Sequence, residues 1–95
     1  MKKSYYAIIP AFVRYDSNLT ANAKLLYGEI TALCNEKGYC FARNKYFADL
    51  YGVSNVSISK WINQLKDYGY IKVKMVYKGN SKEIESRQMY ITTYK

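Results

Sequence analysis

Lys60, Asn63 and Gln64, with Val56 a turn earlier and Ser57 and Ser59 between, are the side chains of this chain best equipped for recognition chemistry. An asparagine or glutamine amide sets a donor beside an acceptor. A lysine is a point charge with three donors, and a serine hydroxyl both gives and accepts. Such a set binds; it does not break bonds. The rest of the composition agrees, because the chain contains no histidine. A Ser-His-Asp triad, a Cys-His pair and a histidine-ligated metal site all require one. Cys34 and Cys40 have no second pair, so a four-cysteine zinc site is excluded, and the five glycines do not cluster as a phosphate-cradling loop does. No catalysis, metal or cofactor is expected.

Charge indicates the kind of partner. The 95 residues suffice for one domain, and 15 Lys and Arg against 7 Asp and Glu give +8, with a pI near 9.5. So large a positive charge on so small a domain suits a polyanion. It is unevenly placed: +2 over residues 1–40, from five basic and three acidic side chains, and +6 over residues 41–95, from ten and four. The anion-binding face therefore belongs mostly after residue 40. No apolar run approaches the ~20 residues of a membrane helix. The stretch from Tyr5 to Val13, broken by Pro10, is too short and too aromatic for a signal peptide. Cys34 and Cys40 read as two small thiols in a reducing cytoplasm, with a single disulfide as the alternative.

The elements that must hold these residues follow from periodicity. Tyr5-Tyr6-Ala7-Ile8-Ile9, closed by Pro10, reads as a strand. Thr20 reads as an N-cap, because Ala23, Leu26, Tyr27, Ile30, Leu33 and Cys34 recur at helical spacing until Gly38. Gly28 inside that helix implies a close approach. Tyr39-Cys40-Phe41 predicts a short strand and Asn44 a second N-cap. The helix over 45–51 turns Phe47, Ala48, Leu50 and Tyr51 inward and ends at Gly52. Ser54 caps a third helix to about Tyr68, with Ile58, Trp61, Ile62 and Leu65 as its buried stripe and Gly69 as its stop. Two alternating runs, Tyr70 to Tyr77 and Arg87 to Tyr94, then read as a hairpin with a nine-residue polar tip.

Within residues 44–63, Ala48, Gly52, Ile58 and Trp61 stand at intervals of four, six and three. Two short helices that cross steeply need a small residue at the crossing and a glycine in the turn. They also need apolar residues on the second helix to reach back into the core. This is the pattern of a helix-turn-helix; a generic helical hairpin satisfies the same packing demands. With the stripe inward at ~100° per residue, Val56, Lys60, Asn63 and Asp67 face outward, flanked by Ser57, Ser59 and Gln64. In a major groove, Asn63 and Gln64 suit adenine, Lys60 a guanine or a phosphate, and Val56 a thymine methyl. Ser57 and Ser59 suit phosphates, and Asp67 marks where the helix leaves the groove.

The hairpin adds a second basic surface. Lys78, Asn80 and Lys82 at its tip are expected to contact DNA as a wing, with simple solubility, supported by Glu83 and Glu85 in the same loop, as the alternative. Lys72, Lys74 and Arg87 on the strands, with Arg43 and Lys45 at the start of the helix-turn-helix, are expected as secondary phosphate contacts. Residues 1–95 are thus expected to form a single α+β domain, a winged helix-turn-helix of three helices plus a small antiparallel sheet. Twelve tyrosines invite an RNA-stacking reading, but most fall at core spacing or at strand ends. Tyr5, Tyr6, Tyr90 and Tyr94 could instead form an aromatic dimer surface.

Three phrases carry a family likeness: Tyr6-Ala7-Ile8-Ile9-Pro10, the run from Leu19 to Tyr27 containing Ala23-Lys24-Leu25-Leu26-Tyr27, and the run from Trp61 to Ile71 ending Gly69-Tyr70-Ile71. Over about residues 5–92 the chain resembles the N-terminal winged-helix DNA-binding domain of replication initiators and replisome organisers from Gram-positive plasmids and phages. Those proteins are related to DnaD-type primosome proteins. The resemblance implies double-stranded DNA binding at an origin, often as a homodimer on repeats, with contacts at Asn55 to Gln64 and at Lys78 to Lys82. Members usually continue into a second domain that self-assembles or recruits replication proteins. These residues are accordingly expected to be such an N-terminal domain or a small stand-alone protein. Transcription repressors share the architecture, and a winged helix also serves as a protein-interaction adaptor.

Overall fold

A computed structural model describes residues 6–34 and 37–92. The elements run α1 (Ala11–Arg14), α2 (Ala21–Leu33), α3 (Asn44–Tyr51), α4 (Asn55–Asp67), β1 (Ile71–Tyr77) and β2 (Ile84–Ile91). This is the expected α+β fold with one helix more, because α1 is a single turn that periodicity cannot register. Pro10 opens it: its carbonyl accepts from Val13 N–H at 3.0 Å and Arg14 N–H at 2.8 Å, and Val13 is fully buried.

Local caps set the helix starts. Thr20 Oγ1 accepts from Ala23 N–H at 3.2 Å, and Ala23, Leu26, Tyr27 and Ile30 of α2 enter the core. Asn44 does not cap α3. It is the first helical residue, Arg43 holds the cap position without a side-chain bond, and the Asn44 amide accepts instead from Arg87.

The strand expected over Tyr5–Ile9 is absent from its described part, residues 6–9 (Tyr5 lies outside the described residues). No strand among the described residues pairs with the segment, which lies along α2 instead. Ile8 N–H donates to Thr31 Oγ1 at 3.2 Å, and Gly28 leaves the room for Ile9. A β-type composition reports a half-buried extended fit, and here a helix supplies the surface. The Tyr39–Phe41 strand is reduced to one bridge, with Cys40 and Met89 exchanging both backbone bonds at 2.9 and 2.8 Å.

The hairpin starts where expected but its second strand begins earlier, at Ile84. The pairs Val76↔Ser86 and Tyr77↔Ile84 bracket a bulge that absorbs Glu85. Lys78 N–H closes the loop on Glu83 O at 2.9 Å, so the tip has the six residues 78–83. Polar Glu85 and Ser86 mask the strand in sequence, Glu85 being exposed and Ser86 only half-buried. The paired rungs Ile71/Ile91 and Val73/Met89 place β1 and β2 against the helices.

Tyr70 ties the sheet to the start of the chain. Its ring stacks on Phe12 at 6.1 Å and meets Tyr27 edge-on at 6.3 Å. Its hydroxyl lies against Phe12 O and the Asp16 carboxylate. That bond and the Asn18 N–H hold Asp16 below its ordinary 3.8, while burial and Asp16 push Tyr70 up to about 12. Among the described residues no helix is long and apolar enough to cross a membrane.

Candidate nucleic-acid interface

The turn between α3 and α4 is built by two residues. Gly52 adopts the left-handed conformation at φ 68° and Val53 N–H returns to Ala48 O at 3.0 Å. Ser54 then caps α4, its hydroxyl accepting from Ser57 N–H at 3.1 Å. Ala48, only 6% exposed, is the small residue among the buried neighbours of this corner, and Ile58, Ile62 and Leu65 reach into the core. Trp61, expected in that stripe, is half-buried at its margin. Tyr51 Oη donates to Glu29 Oε1 at 3.0 Å, which pins α3 to α2, and burial and Glu29 together raise the tyrosine above its ordinary range.

On the opposite side of α4, Val56 is 77% exposed, and Asn55, Ser59, Lys60, Asn63 and Asp67 are exposed with it. This is the outward face derived from periodicity. Two of the expected contact residues are used inside the fold. Ser57 is half-buried and its hydroxyl accepts from Ser54 at 3.1 Å. Gln64 Oε1 accepts from Thr20 N–H at 2.8 Å and from Thr20 Oγ1 at 3.1 Å, bracketing α4 to the start of α2. A bidentate adenine contact needs that same oxygen, so Gln64 as it stands does not offer one.

The basic residues divide in the same way. Asn80 and Lys82 are exposed at the hairpin tip, where Lys78 meets Glu83 at 3.5 Å. Lys72 and Lys74 are exposed on the sheet face shared with their partners Tyr90 and Gln88, away from the core rungs. Arg43 is exposed at the entry to α3, and Lys45 pairs with Asp49 at 2.9 Å one turn on. Arg87 departs from expectation. Its guanidinium donates to Asn44 Oδ1 and to Ala42 O, each at 2.7 Å, and it is half-buried there. Two of its five N–H donors are thus spent on bracing the fold, which leaves fewer for the phosphate contact expected of it.

Of the tyrosines considered for a dimer surface, Tyr6 is exposed and Tyr90 is half-buried beside Tyr39, with ring centroids 5.6 Å apart. Tyr5 and Tyr94 lie outside the described residues. Cys34 and Cys40 are free thiols. Burial pushes Cys34 up to about 11 and Cys40 upward as well, so both are neutral at pH 7. Among the described residues no three metal-ligating side chains gather.

Two helices joined by a tight left-handed turn, the second with one face exposed, followed at once by a basic hairpin, define a winged helix-turn-helix, a DNA-binding class of fold. Residues 17–71 match the model of the helix-turn-helix domain family, and the chain belongs to that family. The match runs from the turn before α2 to the first residue of β1. It thus takes in the whole helical corner and stops short of the wing. No curated protein and no solved structure matches the chain.

Proposed function

We propose that the domain binds double-stranded DNA sequence-specifically, with α4 in the major groove and the wing on the backbone or in the minor groove. The observation that carries this reading is the outward face of α4. Val56, Lys60 and Asn63 stand exposed on one side of a helix whose other side is locked into the core. An amide, an ammonium and a methyl-bearing side chain on one such face suit base edges, and a good bidentate pair discriminates by ~1–3 kcal/mol. Among the described residues no carboxylate pairs with Lys60 or with Lys82 at the wing tip, so both are available to phosphates.

The biological setting is a plasmid or phage replication origin in the cytoplasm. It rests on the resemblance of the Ile9-Pro10, Ala23-to-Tyr27 and Gly69-to-Ile71 phrases to initiators and replisome organisers. A homodimer would place two α4 helices in successive major grooves, ~34 Å apart on repeated half-sites. Further replication proteins would join through a second domain. Binding, not catalysis, is the role assigned to these residues.

Selection of bound fragments from the source replicon, followed by footprinting, tests this. Enriched repeats within or beside a replication gene are expected. Enrichment over a promoter instead would make the protein a repressor. No enrichment of any duplex would overturn DNA recognition in favour of a protein-docking adaptor.

A further inference from the structure

Arg87 is the one charged side chain on the core-facing side of the hairpin. The rungs on that side run Ile71/Ile91, Val73/Met89, Met75/Arg87 and Tyr77/Ile84. The first two are clamped against the helices, and Met89 is joined to Cys40 by two backbone bonds. The last is out in solvent, with Tyr77 and Ile84 both about half exposed. Arg87 sits at the border between the held half and the projecting half. Its fork reaches Ala42 O and Asn44 Oδ1, one just before α3 and the other its first residue.

We infer that Arg87 is a positioning residue for DNA binding, the tether that fixes the angle of the wing to the helix-turn-helix. This rests on the DNA-binding reading above. The side chain is half-buried, that burial lowers its pKa, and no carboxylate among the described residues forms an ion pair with it. What it gains is geometry: two acceptors on one short segment fit a planar fork, and a lysine ammonium cannot span them in the same way. Beyond the tether the tip stands ~14 Å away at ~3.4 Å per residue, so about 10° of slack at Arg87 moves Lys82 by about 2 Å. A shift of that size must be taken up by the lysine stem, at a cost in rotamer freedom, and so weakens the hold on a given phosphate.

The test is a double-substitution cycle on the selected duplex, read as the slope of log affinity against log salt. In the wild type, Lys82→Ala should lower the slope by about 0.9, the loss of one phosphate contact. In an Arg87→Met background, Lys82→Ala should lower the slope by less, while Lys60→Ala keeps its full effect. An equal effect of Lys82→Ala in both backgrounds overturns the tether. Residual dipolar couplings of the free protein give a second readout that needs no DNA. Arg87→Met should reorient residues 75–77 and 84–86 relative to α3 while leaving α2 and α4 in place. An unchanged wing orientation overturns the inference by itself. If Lys60→Ala and Lys82→Ala are silent in every background, the DNA-binding reading fails, and the couplings still decide the tether.

Discussion

Gly52 holds the corner of the helix-turn-helix at φ 68°, and a Cβ there would meet no atom within 4 Å. The cost of a side chain at this position is therefore conformational, not steric. Gly52→Ala should lower unfolding stability by ~1 kcal/mol, and Gly52→Asn by less, because asparagine tolerates the left-handed region better. Chemical denaturation measures both; a neutral Gly52→Ala would mean the corner relaxes into another turn. This residue was legible in sequence because its signal is local, as were the caps Thr20 and Ser54 and the stop at Gly69, whose φ is 80°. Gln64 and Arg87 were not. Each looks like a free polar side chain until its partner, 44 or 43 residues away, is brought against it. No spacing rule encodes a contact that only the tertiary fold creates.

At the scale of elements, α2 and α4 follow their apolar periodicity, with Trp61 at the margin. On α3, Phe47 and Ala48 are buried but Leu50, expected inward, is only half-buried and does not join the core. The extended segment before α1 does not follow its pattern, because its β-type residues find a helix to lie on. Gly28 is the sign of that contact in sequence. A Cβ on it would stand 2.9 Å from Ile9 Cγ1 and 3.3 Å from Ala7 Cβ. Gly28→Ala gains ~1 kcal/mol of helix propensity but forces an overpacked contact that costs ~1–3 kcal/mol. A net loss of stability is expected, and an Ile9→Ala background should turn it into a gain. If Gly28→Ala stabilises the protein with Ile9 intact, the segment is not held as closely as described. The outer part of β2 was masked by Glu85 and Ser86, whose polarity reads as loop but is what a partly exposed strand carries.

For the molecule as a whole, buried and half-buried tyrosines contribute to the response to alkali. Tyr27, Tyr46, Tyr51 and Tyr70 are all raised above 10.0, chiefly by burial, and Tyr70 reaches about 12. The folded state thus holds these protons more tightly than the unfolded chain does. Stability should be full below pH 10 and fall as pH rises through the folded values. Asp16 works in the opposite sense: its lowered pKa supports the fold above 3.8 and is lost as pH falls through the folded value. Tyr70→Phe removes the Tyr70–Asp16 pair. Melting curves of that variant should show a smaller decline between pH 10 and 12 and a shallower acid limb. A decline identical to wild type at both ends would show that the pair does not couple to folding. The +8 charge has its clearest addresses at Lys60 on α4 and Lys82 on the wing, whereas Arg87, Lys45 and Lys78 are engaged within the fold. The available cations are fewer than composition implies.

The central claim is that the outward face of α4 reads duplex DNA. It is tested most directly by titrating wild type, Lys60→Ala and Asn63→Ala against the selected duplex and a scrambled one across a salt series. Wild type should prefer the selected site and weaken steeply with salt, at a slope of about −0.9 per phosphate neutralised. Asn63→Ala should lose ~1–3 kcal/mol on the selected site and little on the scrambled one, narrowing the preference. Lys60→Ala should weaken the selected site, or both duplexes together if Lys60 holds a phosphate. Unchanged affinity of both variants for the selected site would contradict the account.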